Sequence, residues 1–413
     1  MNTETATGLD KQTKDIVKST VPVLEERGTE ITKRFYERMF ENHPELKNIF
    51  NQTNQRKGDQ SKALANMVYA AALHIDNLEE ILPAVQPVAH KHKSLNIKPE
   101  HYPIVGENLL MAIREVLGEE IATDEVLAAW EKAYGEIANV FISIEDQMYQ
   151  EDENQPGGWT GFRNFKVKRK VKESDVITSF YLEPADHHPF PAFKPGQYIT
   201  VKADIEGEAY THRRQYSLSI APNEGVYRIS VKREEALDEN PDGVVSNYLH
   251  DHVEEGDIIP ISAPSGDFVL DTDDERPLVL LSGGVGLTPM MSMLESVVEW
   301  QPEREVIFIH AARSGKFHAM SDRVRSIDRD YKQVTTYFVY DSPEEEDEGK
   351  YDKKGYVDYE WLKSVVPTND AAFYFCGPKG FMKAIYQSLA KYEVSEEDIH
   401  FEIFGPQTDI TNS

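Results

Sequence analysis

Between Asp10 and Asp146 apolar residues recur every three or four positions, the spacing that aligns side chains on one face of a helix. Pro22, Pro44, Pro83, Pro87, Pro99 and Pro103 punctuate the pattern, mostly near helix starts and ends, so it predicts a helical segment cut into several pieces. One piece runs from about Thr29 to Asn42 with Ile31, Phe35, Met39 and Phe40 inward, and a second from about Asp59 to Ile75 with Leu64, Met67, Val68, Ala71 and Ala72 buried. Two more are predicted from Pro99 to Leu117 and from Thr123 to Tyr149. The polar stretch EDENQPGGWT, Glu151 to Thr160, breaks the helical period at Pro156, Gly157 and Gly158. Beyond it the pattern alternates, as in FKVKRKV, VITSFYL, QYITVKA and YRISVKR, which predicts an antiparallel β-barrel or compact sandwich. From Arg276 short apolar runs (PLVLL, VIFIHAA, TTYFVY, AAFYFCG) alternate with helical stretches (MMSMLESVVEW, FMKAIYQSLAKY), the signature of a parallel sheet with covering helices. The expected organisation is a multidomain chain: an all-α domain at 1–150, a linker at 151–160, an antiparallel β domain at 161–272 and an α/β domain at 273–413.

The length of 413 residues exceeds what one growing core serves, which agrees with several domains. A net charge of -28 argues against nucleic acid or an anionic membrane as partner and for high solubility. Part of that charge is the run Glu344 to Glu348, expected to be a solvated loop. With Cys376 as the only cysteine there is no internal disulfide and no cysteine-built zinc site. The N-terminal residues carry no basic segment followed by an apolar core, and no apolar run is long enough to span a bilayer, so the expectation is a cytoplasmic protein, monomeric, without stable membrane association.

The stretch AHKHKSLNIKPEHYPIVG carries His92 near the end of one helical pattern and Tyr102 just inside the next. Gln60 and Leu64 are four apart and share a helix face, where a polar group beside an apolar one suggests a pocket. Together with RFYERMF around Tyr36, the segment around Phe50, and AWEKAYGEIANVFISIE ending in Glu145, these residues resemble the globin domain of the flavohaemoglobins. The resemblance implies haem b, with His92 as proximal iron ligand, Tyr36, Gln60 and Leu64 on the distal side and Phe50 packed against the macrocycle. A ligating imidazole normally donates its second ring N–H, and an anionic acceptor there raises its basicity. Tyr102 and Glu145 are expected in that role, while His90 ranks below His92 as ligand and Lys91, beside it, is at most a modulator.

In HRRQYSLSI the side chains of Arg214 and Tyr216 share one strand face and Ser217 takes the other, a guanidinium for a diphosphate beside an aromatic plane for a ring. With GQY (Gly196 to Tyr198), GVVSNYL (Gly243 to Leu249) and GDF (Gly266 to Phe268), this ordered set resembles the ferredoxin-reductase-type FAD domain. The resemblance implies FAD contacts from Tyr198, Arg214, Gln215, Tyr216, Ser217, Gly243 and Ser246, the last two at a helix start that favours phosphate. PLVLLSGGVGLTPM then offers a strand and a Gly-rich turn, short of the full dinucleotide fingerprint because Thr288 and Pro289 follow the glycines. CGPKGFM and the terminal EIFGP resemble the nicotinamide half of the same reductases. They imply cofactor contacts from Gly284, Val285, Gly286, Leu287, Thr288 and Pro289, and from Ile403, Phe404, Gly405 and Pro406, with Phe404 stacked on the flavin. Cys376 is expected to position or pack rather than attack. NADH and NADPH both stay open, since Arg313 and Ser314 are placed to receive a 2′-phosphate and no acidic residue marks the ribose.

A hydride donor delivers electrons in pairs and haem iron accepts them singly, so a flavin between them is the required converter. The flavohaemoglobin resemblance, over essentially the whole chain, implies nitric oxide dioxygenase activity using dioxygen and NAD(P)H. The alternatives from other classes are an oxygen-binding or oxygen-sensing globin kept ferrous by its own reductase, and a general flavin or ferric reductase.

Overall fold

The computed structural model describes residues 8–50, 58–222, 225–236 and 241–405. Two compact units are present, Met1–Phe162 with Lys202–Arg214, and Arg163–Val201 with Gln215–Ser413. In the first, helices α1 (Lys11–Ser19), α2 (Val21–Asn42), α3 (Asp59–Leu73), α4 (Leu82–Ser94), α5 (His101–Leu117) and α6 (Asp124–Asn154) enclose one core. Helix α2 begins earlier than its apolar spacing predicts because Pro22 sits in its first turn, where a missing N–H breaks no bond. Helix α6 runs past Tyr149 to Asn154 and stops at Gln155, which Pro156 holds in extended backbone. Pro87 is the proline that departs from the expected pattern, lying inside α4.

Ile31, Phe35 and Met39, on one stripe of α2, are almost fully buried, and each contributes roughly 1.5–3 kcal/mol by leaving water. Helices α2 and α3 cross closely at Gly28, where a Cβ would stand 3.5 Å from Ala65, and Thr32 Oγ1 donates to the Ser61 carbonyl at 2.7 Å. The segment Lys202–Arg214 belongs to this unit, with the Thr211 N–H donating to Asn48 Oδ1 at 2.8 Å.

The antiparallel part is a six-stranded sheet ordered β4-β3-β6-β1-β2-β5, built from β1 (Phe162–Lys172), β2 (Ile177–Pro184), β3 (Tyr198–Ala203), β4 (His212–Ser217), β5 (Tyr227–Lys232) and β6 (Ile258–Ser262). An isolated bridge from Leu218, just beyond β4, to Ile229 in β5 joins the two edges and closes the sheet as a barrel. Its alternation is blurred where helix α7 (Val244–His252) covers the outside: Thr178 and Ser179 are buried, and Thr178 Oγ1 lies 3.4 Å from His250 Nδ1.

The α/β part is a parallel sheet ordered β10-β9-β8-β7-β11-β12, from β7 (Leu278–Gly283), β8 (Val306–Ala312), β9 (Val334–Tyr340), β10 (Lys353–Lys354), β11 (Ala372–Cys376) and β12 (Ile399–Glu402). Helices α8 (Leu287–Trp300), α9 (Ser321–Asp330), α10 (Tyr359–Val365) and α11 (Lys379–Lys391) accompany it. β7 is buried at every position, as a central parallel strand must be. The chain moves outward from β7 through β8, β9 and β10 and then returns to β7's other side as β11. That reversal makes the carboxyl ends of β7 and β11 the switch point at which such sheets bind ligands. Among the described residues no helix is long and apolar enough to cross a membrane. The acidic run is not wholly solvated as expected: Glu345–Asp347 form a 3-10 turn, and buried Asp347 accepts from the Gly315 N–H at 3.1 Å and the Glu344 N–H at 2.9 Å. The turn at Gly315 and the start of the turn at Glu344 each present a backbone donor, and one inward carboxylate satisfies both.

Candidate functional site

Helix α4 ends because Asn96 adopts the left-handed conformation (φ 56°), with Asn96 N–H donating to the Lys93 carbonyl and Ile97 N–H to the His92 carbonyl, each at 2.9 Å. His92 is thereby fixed in the last turn. Its Nδ1 lies 2.7 Å from Glu145 Oε1 and 3.2 Å from the Tyr102 hydroxyl, and that hydroxyl donates to the same Oε1 at 2.6 Å. Glu145 is 3% exposed, and a carboxylate so buried is tolerable only when its oxygens accept good hydrogen bonds. With a carboxylate as acceptor the Nδ1 carries the proton, which leaves Nε2 with its lone pair. Burial first, then the Glu145 charge, pushes the Tyr102 phenol far above its ordinary value, so it stays a donor.

Two neighbours hold this triad. Tyr134 donates its hydroxyl to the Tyr102 carbonyl at 2.7 Å, an approach that Gly106 permits, since a Cβ there would meet the Tyr134 ring at 2.6 Å. Phe141, one turn before Glu145 on α6, lays its ring 5.8 Å from that of His92. Periodicity does not single out Tyr134 or Phe141, because an aromatic on an apolar stripe looks the same whether it fills a core or supports a site.

On α2 the Tyr36 ring packs against Phe35 (4.8 Å) and edge-on to Phe50 (5.8 Å), and burial drives its phenol well above the ordinary value. Leu64 packs against the same core, and Gln60, one turn before it on α3, has a buried Oε1 with no hydrogen-bond partner among the described residues. An orphaned buried amide oxygen costs about 1–3 kcal/mol unless something else meets it. A histidine with a lone-pair nitrogen, an unmet amide and an aromatic wall fit a haem.

The flavin motifs interlock. Gly196 of GQY has φ +106° and no room for a side chain, since a Cβ would stand 2.0 Å from the Phe268 carbonyl of GDF; Gly266 (φ +111°) likewise lies against the Tyr198 ring. Tyr198 and Ser265 exchange backbone hydrogen bonds at 2.9 and 2.8 Å, and the Leu218 N–H donates to the Gln197 carbonyl at 2.9 Å, tying RQYS to GQY. Arg214, Gln215 and Tyr216 are half-buried and Ser217 is buried. At the start of α7 the Ser246 hydroxyl donates to the Gly243 carbonyl at 3.1 Å and accepts the Glu234 N–H at 3.2 Å. Ser246 therefore shapes the turn as well as standing at the helix start.

At the switch point, Gly284 (φ +54°) opens a 3-10 turn over Gly284–Gly286 that leads into α8. Gly286 is pressed on the other motif: a Cβ would stand 2.1 Å from the Cys376 carbonyl oxygen. Val285 is half-buried, Leu287, Thr288 and Pro289 are buried, and Thr288 Oγ1 donates to the Val285 carbonyl at 3.0 Å. The Cys376 thiol is fully buried and pushed well above its ordinary value, which suits packing and not nucleophilic attack. Ile403 and Gly405 are half-buried and Phe404 is 45% exposed; Pro406 lies outside the described residues. Ser314 is 1% exposed and Arg313 stacks over Phe317 at 4.8 Å, so the hydroxyl of Ser314 is turned away from solvent.

Comparison with known proteins finds three family matches along the chain. Residues 33–141 match the globin family, 164–270 the oxidoreductase FAD-binding domain and 280–387 the oxidoreductase NAD-binding domain. The chain is 64% identical to the flavohemoprotein of Oceanobacillus iheyensis over 96% of its length and 97% of that protein, and 51% identical to that of Bacillus subtilis over 98% and 100%. A crystal structure of flavohemoglobin from Malassezia yamatoensis with bound FAD and heme superimposes with a TM-score of 0.82 at 28% identity, covering 97% of this chain and all of that one. The FAD/NAD-binding domain of a nitric oxide dioxygenase from Vibrio cholerae matches 59% of this chain and 99% of its own, at 37% identity and a TM-score of 0.54. The chain belongs to the flavohaemoprotein family, a haem-binding globin joined to FAD- and NAD-binding oxidoreductase modules.

Proposed function

We propose that this oxidoreductase is a nitric oxide dioxygenase, converting nitric oxide and dioxygen to nitrate with electrons drawn from a nicotinamide dinucleotide. Haem supplies the redox-active iron, FAD splits the hydride pair into single electrons, and NADH or NADPH supplies the hydride. The observation that carries the reading is the His92–Glu145–Tyr102 triad. A carboxylate 2.7 Å from Nδ1 makes His92 a strongly basic ligand through Nε2, which favours activation of dioxygen over reversible carriage. Tyr102, donating to the same carboxylate, keeps it oriented. Tyr36 and Gln60 are the distal hydrogen-bonding groups, with Leu64 and Phe50 supplying the apolar wall. In the reductase part, Arg214 pairs with the flavin diphosphate, Tyr198 and Tyr216 pack on its ring, Gln215 and Ser217 hydrogen-bond it, and Gly243 and Ser246 receive phosphate. Gly284 to Pro289 receive the dinucleotide, and Phe404 stacks on the flavin until the nicotinamide displaces it. The module boundaries are placed near residues 150, 161 and 272. Support for the activity comes from the similarity to the Vibrio cholerae nitric oxide dioxygenase.

The test is nitric oxide consumption on an electrode by haem- and FAD-loaded protein with NADH in air, followed by a nitrate count. Each nitrate takes one electron, so about two nitrates per NADH are expected from the electron balance. Nitric oxide that persists while NADH is still oxidised would replace this reading with the oxygen-binding or the reductase one.

A further inference from the structure

We propose that the ion pair between Lys93 and Asp152 is a positioning device for His92, setting the rotation of the last turn of α4 against α6 and with it the His92–Glu145 hydrogen bond. This rests on the reading of His92 as the haem-iron ligand. Lys93 Nζ donates to both oxygens of Asp152, at 2.9 and 2.7 Å, and the two side chains are only 6% and 11% exposed. Glu145 and Asp152 lie two turns apart on one face of α6, about 10 Å along its axis. Their partners His92 and Lys93 are adjacent on α4 and therefore point about 100° apart around it. Two ties that are separated along one helix and fanned around the other fix both slide and rotation. Between them Tyr149, on the same face of α6, donates its hydroxyl to the Ile97 carbonyl at 2.7 Å and holds the turn that ends α4. Phe141, Glu145, Tyr149 and Asp152 thus form one stripe that grips residues 92–97 at successive points.

Stability alone does not account for the pair. A buried ion pair is matched or exceeded in stability by well-packed apolar residues, whereas its directional bonds specify one arrangement. Turning α4 to lengthen the His92–Glu145 bond would pull Lys93 off Asp152 and strand two buried charges. The arrangement therefore keeps the imidazole at full hydrogen-bonding distance from its carboxylate.

The experiment uses the full-length ferrous protein and resonance Raman detection of the iron–histidine stretch, with the haem midpoint potential measured alongside. Lys93→Met is expected to lower the frequency and make the potential more positive, with turnover reduced on the order of 10-fold, the scale on which outer partners of a ligand act. Because a lone buried Asp152 threatens folding, the paired variant Lys93→Met/Asp152→Leu is made as well; it should melt near the parent temperature yet keep the lowered frequency. In a Glu145→Gln background, Lys93→Met should add no further shift, since its influence passes through that hydrogen bond. A parental frequency in the paired variant, or an equal shift with and without Glu145, overturns the proposal. His92→Ala separates the two readings: survival of the iron–histidine band there would remove His92 as ligand, and the positioning role with it.

Discussion

Gly286 shows how much a single residue decides. Its neighbours in GGVGLTP suggest a phosphate turn, yet its own constraint is the Cys376 carbonyl, which a Cβ would meet at 2.1 Å. Backbone does not yield as a side-chain tip does, so Gly286→Ala must push β7 and β11 apart at the switch point, at a cost of about 1–3 kcal/mol. The expected outcome is a lower melting temperature together with slower flavin reduction by NADH in stopped-flow absorbance, with carbon monoxide binding to the haem unchanged. Unaltered flavin reduction would show that the turn tolerates the shift. At the same scale, the triad residues were legible because their surrounding motifs are specific. Lys93 was not, because a lysine after His92 in AHKHKS looks like one more solvated charge, and Asp152, 59 positions on, looks like part of an acidic linker. Burial of both is a property of how α4 and α6 meet.

Among the elements of the α/β part, β8 and the turn after it carry a feature that bears on pH. His310 on β8 and His318 beyond it are 0% and 2% exposed, their rings 4.4 Å apart, with His310 Nδ1 2.8 Å from Ser282 Oγ and His318 Nδ1 2.8 Å from the Tyr340 hydroxyl. Burial lowers His310 from 6.5 to about 3, and burial, then the neighbouring His310 and Arg325, lowers His318 well below 6.5. The folded protein therefore keeps both neutral while the unfolded chain takes up protons below about pH 6.5. More protons bound by the unfolded state means that stability rises with pH. It is fully present above pH 6.5 and is lost as the pH falls toward the folded values. Melting temperatures measured between pH 7.5 and 5 should fall with acid, and less steeply in His318→Gln than in the parent. Parallel curves would assign the acid limb to other groups. The sequence presents these as two ordinary histidines; their pairing depends on the return of the chain after β8.

For the whole molecule the dominant quantity is charge, 72 acidic against 44 basic side chains. Self-repulsion of that size opposes the compact state and is screened by salt, with a Debye length of about 10 Å at 0.1 M and about 3 Å at 1 M. Raising sodium chloride from 20 mM to 1 M should therefore raise the melting temperature, followed by circular dichroism; a fall would mean that the ion pairs outweigh the repulsion. The same scale separates what was written in the chain from what folding added. Helical, alternating and βαβ patterns determine three kinds of module by themselves, because burial of one face per element has a period that local sequence records. The motifs around His92, Tyr102, RQYS and GGVG likewise point to the chemistry through their resemblance to one family, since each is a short run whose own residues are close in sequence. Tertiary structure alone decided the rest: that Gly196 and Gly266 clasp the GQY and GDF segments, that Gly286 seats on Cys376, and that Lys93 finds Asp152. Each of these is a meeting of groups far apart in the chain, governed by where helices cross and strands reverse, and no local pattern encodes a distance between them.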